Sequence, residues 1–112
     1  MKFKKFIEKL ENGATVEELA KGTNVKYIGN VVYEDDDLYE FLEDMGAKIS
    51  EYGVDYAVIR TDEDEYYEVP YETTANRSNP NLPEETVLYF EPNKIYDVTD
   101  NYISVVETDD ED

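Results

Sequence analysis

Asp55-Tyr-Ala-Val-Ile-Arg-Thr-Asp-Glu-Asp-Glu-Tyr-Tyr-Glu-Val-Pro-Tyr71 is the stretch on which the fold class turns. Residues 55–61 and 66–71 are rich in β-branched and aromatic side chains, which pack well on a pleated surface. Asp62-Glu-Asp-Glu65 separates them. Two such runs joined by a short polar segment predict a β-hairpin with an acidic tip. Pro70 has no N–H to give to a ladder, so the second strand is expected to be an edge or to end its pairing there.

Upstream, Leu38, Phe41, Leu42, Met45, Ile49 and Tyr52 keep a 3.6-residue period after the acidic run Glu34-Asp-Asp-Asp37. That predicts a helix capped by Asp36 or Asp37. Gly46 offers an earlier end, with Ala47 onward extended instead. Nearer the start, Phe3, Phe6, Ile7 and Leu10 form one apolar stripe, stopped by Asn12-Gly13. Thr15-Val-Glu-Glu18 has the form of a capping box and opens a short helix through Lys21, ended by Gly22. Val25, Ile28 and Val32 lie at helical spacing and would make a third helix. Tyr27-Ile28 and Val31-Val32 around Gly29-Asn30 instead spell a type II′ hairpin, favoured because Gly-Asn weakens a short helix.

Downstream, residues 72–86 read as a loop, with Asn76-Arg-Ser78 in it matching a glycosylation sequon that has no meaning in a cytoplasmic protein. Thr86–Phe90, Lys94–Val98 and Tyr102–Val106 read as strands, and residues 107–112 as a frayed acidic tail. The sum is α+β, with two or three short N-terminal helices packed on an antiparallel sheet of about five strands. The 112 residues make one small domain: a mildly basic helical part over 1–33, then the acidic helix and sheet over 34–106.

Charge is the chain's main departure from an ordinary domain. It has 29 acidic and 10 basic side chains, a net charge of -19. Spread over the roughly 6,300 Å² that a folded chain of this mass exposes, that is one uncompensated charge per roughly 330 Å². Residues 1–33 carry a net +2 and residues 34–112 a net -21, and all eleven tyrosines lie at or after Tyr27. This split suggests two jobs for two regions. Direct nucleic-acid binding by the acidic part, or docking on an anionic membrane, would work against its own charge. No apolar run marks a signal peptide or a membrane span, so a soluble, cytoplasmic protein is expected.

Chemistry is narrowed by absence. The chain has no cysteine and no histidine. Thiolate nucleophiles, disulfides, imidazole triads and the usual transition-metal ligands are therefore excluded. Asp62-Glu-Asp-Glu-Tyr-Tyr and Asp97-Val-Thr-Asp100 lack the glycine on which an EF-hand loop turns, so no metal site or cofactor is expected. Among so many acids no catalytic pair stands out, and the protein is not expected to be an enzyme.

The candidate contact residues are the acids of the helix, Glu34, Asp35, Asp36, Asp37, Glu40, Glu43 and Asp44, and those of the hairpin, Asp62, Glu63, Asp64, Glu65 and Glu68, with Tyr66 among them. Carboxylates four apart on a helix lie roughly 6 Å apart, and two apart on a strand roughly 6.6 Å. Phosphates recur every roughly 3.4 Å of axis on each DNA strand. Tyrosines interleave the acids, as in Tyr33-Glu-Asp, Glu51-Tyr52 and Glu65-Tyr-Tyr-Glu68. An arginine can pair with the carboxylate and stack on the ring.

In size and charge, with Glu34–Asp37, Asp62–Glu65 and Asp109–Asp112 as the carriers, the chain resembles the small acidic DNA-mimic inhibitors of phages and mobile elements, of anti-CRISPR, anti-restriction and uracil-glycosylase-inhibitor type. The resemblance implies a non-catalytic inhibitor that occupies the basic groove of a nucleic-acid-processing enzyme. An immunity protein for a basic nuclease toxin is a second expectation. A third starts from Gly13–Val25, which resembles the first helix and turn of a helix-turn-helix. Ala20 stands at the tightly packed position and Asn24 at the left-handed one. That implies a regulator with an acidic effector region, although Asn30 stands where an apolar residue is wanted.

Overall fold

The computed structural model describes residues 1–74 and 81–102. In chain order the elements are α1 (Phe3–Glu11), α2 (Val16–Leu19), β1 (Tyr27–Ile28), β2 (Val31–Tyr33), α3 (Asp36–Asp44), β3 (Ala47–Tyr52), β4 (Tyr56–Thr61), β5 (Tyr66–Thr74), β6 (Glu85–Tyr89), a 3-10 turn (Pro92–Lys94) and β7 (Tyr96–Asp97). The architecture is α+β, with short helices against one antiparallel sheet. Its strands run in the order β1-β2-β6-β5-β4-β3, and β7 pairs with β5 beside that path.

The central hairpin forms as predicted, with Ile59 opposite Tyr67 and Ala57 opposite Val69. Its tip is built on Thr61, whose hydroxyl accepts from the N–H groups of Glu63 and Glu65 at 3.3 and 3.2 Å. Asp64 takes φ 58, a left-handed conformation that short acidic side chains tolerate. Pro70 is neither at an edge nor at a strand end. Tyr71 N–H donates to Asp55 O, so odd-numbered residues of β5 face β4, and Pro70 turns its missing donor the other way. There the partner changes, from β7 at Tyr67 and Glu68 to β6 at Tyr71–Thr74. The proline sits in that gap at no cost in hydrogen bonds.

Gly46 ends α3, at φ 70, and the chain continues extended as β3. Gly29-Asn30 makes the hairpin, with positive φ at Gly29 only, as type II′ requires. No recognition helix follows α2, because this hairpin occupies its place. Asn30 fixes the hairpin there, accepting from Val16 N–H through Oδ1 at 3.4 Å and from Phe90 N–H through its carbonyl at 2.8 Å. The left-handed residue is Gly22, not Asn24. Both departures remove the geometry that a helix-turn-helix reading needs.

Further differences are local. Asp35, rather than Asp36 or Asp37, caps α3, accepting from Leu38 N–H at 3.0 Å. α2 ends at Leu19, and Glu18 accepts from the Thr15 hydroxyl rather than from its backbone. β5 runs on to Thr74, and the expected strand at 94–98 is a 3-10 turn followed by two paired residues. Tyr102 lies in a helical turn instead of opening a strand. The rest of that strand, the acidic tail and the Asn76-Arg-Ser78 sequon lie outside the described residues.

One apolar cluster joins the helices to the inner face of the sheet, with Leu38, Leu42, Ile59, Val69 and Leu88 fully buried in it. Phe6 is its hub. Its ring meets Phe41 of α3 and Phe90 after β6 edge-on, both at 5.6 Å, and Phe3 at 5.8 Å. Phe6→Ala is expected to lower unfolding free energy by about 3–5 kcal/mol, read from urea denaturation, because the cavity opens between three elements at once.

Candidate acidic interaction surface

The structure divides the predicted acids into those that hold the fold and those that do not. Glu34 belongs to the first set. It accepts hydrogen bonds from the Tyr39 hydroxyl and, at 3.0 Å, from the Tyr52 hydroxyl. Asp35 caps α3 and, with Asp37, ion-pairs with Lys26 at 3.0 and 3.3 Å. Those two carboxylates hold the Lys26 ammonium pKa above its ordinary value. Asp36 and Asp37 lie in the first turn, where the positive end of the helix dipole favours them.

The hairpin tip is also partly compensated. Asp64 pairs with Arg60 at 2.8 Å, and Glu63 and Glu65 reach Lys2 and Lys4 of the α1 region at 3.9 and 3.8 Å. The basic N-terminal part therefore folds against the acids rather than forming a separate region. These pairs are largely exposed and contribute little to stability, but they soften the local field.

Glu40, Glu43, Asp44 and Asp62 differ. All four are exposed, and among the described residues none has a lysine or arginine nitrogen within ion-pair distance. Glu43 and Asp44 occupy the last turn of α3, which holds no basic residue. Carboxylates there oppose the negative end of the dipole. Asp62 comes beside Glu43 across the fold, because its N–H donates to Gly46 O at 2.8 Å, whereas Asp44 turns toward Gly22–Asn24 on the other side of α3. Gly46 leaves room for this approach: a Cβ there would stand 3.1 Å from Asp62 Oδ2.

Tyr66 and Glu68 are not part of this face. Side chains alternate along β5, so Tyr67 and Val69 enter the core while Tyr66 and Glu68 project from the opposite side of the sheet. There Tyr66 stacks on Tyr102 at 4.3 Å, with Arg60 5.8 Å from its ring centroid. Tyrosines on this side secure carboxylates as well, Tyr102 to Glu51 at 2.9 Å and Tyr89 to Glu72. Sequence reading missed these pairs, because each joins residues distant in the chain. Among the described residues no three acids converge as metal ligands would, and no helix is long and apolar enough to cross a membrane.

The Glu34 bond, with burial second, raises the Tyr39 phenol from 10.0 to about 12. Its neutral form is therefore favoured by folding. This contribution to stability is complete below pH 10 and disappears as the pH rises through about 12. In Glu34→Gln the Tyr39 and Tyr52 phenols should both ionise at lower pH in a spectrophotometric titration, Tyr39 moving back toward pH 10, and Tyr39→Phe should remove one late phenol entirely. Asp44→Lys should raise the melting temperature, by a gain of about 0.3–1 kcal/mol from a cation at the helix C-terminus. Comparison of the chain with protein-family models, with curated proteins and with solved structures finds no match, so the reading of this surface rests on its own geometry.

Proposed function

We propose that this protein is a non-catalytic inhibitor that presents the acidic face of α3 and the adjoining Asp62 to the basic groove of a nucleic-acid-processing enzyme in the cytoplasm. One observation carries the reading: the exposed stripe Asp36, Glu40, Glu43 and Asp44 ends in carboxylates that work against their own helix and lack a cation partner among the described residues. Charges that weaken a helix and have no ion-pair partner among the described residues are accounted for by an external cationic surface.

The spacing supports the same partner. The stripe covers about 12 Å of helix axis at 1.5 Å per residue, the length over which one DNA strand offers three or four phosphates at roughly 3.4 Å each. The helix is rigid, so its carboxylates are ordered before binding and little conformational entropy is lost on contact. Arginine and lysine side chains that grip phosphates can make charge-assisted hydrogen bonds to these oxygens instead.

Displacement of a labelled DNA duplex from candidate nucleases and CRISPR or restriction effectors tests the proposal. The protein should compete with DNA, with affinity falling of the order of a hundredfold over a fourfold rise in salt for about four contacts. The Glu40→Gln, Glu43→Gln, Asp44→Asn, Asp62→Asn variant should keep its helical circular dichroism and lose competition. No displacement by the parent at low salt, or equal displacement by the variant, would overturn the reading.

A further inference from the structure

We propose that the groove between α3 and β3 is a receptor for one arginine side chain of the protein partner, an inference that rests on the acidic face being a surface for a basic protein. The groove has a volume of about 290 Å³. That is at the lower end of the roughly 300–1,000 Å³ of ligand sites and accommodates a single long side chain. Leu42 of α3, Ile49 of β3 and Tyr39 give it an apolar and aromatic lining. Glu43 and Asp62 line it as well, and neither has an ion-pair partner among the described residues.

This combination of apolar and acidic lining fits an amphipathic cation. The methylene stem of an arginine covers Leu42 and Ile49 while its guanidinium faces the carboxylates. A planar guanidinium can serve two carboxylates at once and lie against a tyrosine ring, which a lysine ammonium does less well. The C-terminal end of α3 adds its partial negative charge at the same place. Gly46 shapes the wall, since a Cβ there would crowd the Asp62 carboxylate at 3.1 Å. Lys48 also lines the groove but is exposed and ion-paired to none of the described residues, so it leaves both acids available to a stronger cation.

Amide chemical shifts of the isotopically labelled full chain, titrated with a capped Ala-Arg-Ala peptide, test the site. Saturable shifts should appear at Glu43, Gly46 and Asp62. The matching citrulline peptide, equal in shape but uncharged, should bind about tenfold more weakly, and Glu43→Gln or Asp62→Asn should cost a similar factor. Both substitutions are at exposed positions, and retained spectral dispersion confirms the fold. Equal shifts from the citrulline peptide, or no effect of either substitution, would overturn the site. Shifts confined to Asp36 and Glu40 would overturn the groove and leave the basic-partner reading intact. No shift anywhere, even with a penta-arginine peptide, would overturn both.

Discussion

A chain with a net charge of -19 holds together around one aromatic side chain. Phe6 is 1% exposed and touches Phe3, Phe41 and Phe90, so α1, α3 and the end of β6 all close on it. Self-repulsion of surface acids opposes every compact state, and only apolar burial is large enough to offset it in a domain this small. The acids are therefore carried outward on elements whose inner faces are committed to the core. α3 shows this clearly: Leu38, Phe41 and Leu42 are buried, while Asp36, Glu40, Glu43 and Asp44 are exposed.

Within that frame the carboxylates do different work. At the start of α3 they cap the helix, complement its dipole and hold Lys26. At the hairpin tip, lysines and an arginine stand beside them. At the end of α3 neither device operates for Glu43 and Asp44, and Asp62 comes beside Glu43 where the helix already presents negative carbonyls. This asymmetry along a single nine-residue helix is what the proposed interaction surface rests on. The tyrosines reinforce it, since Tyr39 and Tyr52 donate to Glu34 and keep that carboxylate occupied within the protein.

Much of the fold was legible from local rules. The β4–β5 hairpin, the turn at Gly29-Asn30 and the apolar stripes of α1 and α3 follow from side-chain period and turn chemistry, which act over a few residues. Pro70 was misleading because its tolerance depends on which neighbour stands on its far side, and β6 and β7 come from elsewhere in the chain. Asp35 displaced Asp36 and Asp37 as the cap because a shift of one residue in a helix start is a matter of small energies. The acidic clusters were visible as composition. Which acids have an ion-pair partner among the described residues was not, since Lys2, Lys4 and Lys26 reach theirs only through tertiary contacts.

By itself the sequence determined that this protein is an acidic α+β domain without thiol or imidazole chemistry, because composition and short-range periodicity are properties of the chain. Only the tertiary structure decided that Tyr66 and Glu68 leave the α3 face and that Asp62 joins it. Strand alternation and the bond from Asp62 to Gly46 depend on residues that meet after folding. Charge can be counted along a chain, but its direction is set by the backbone that carries it.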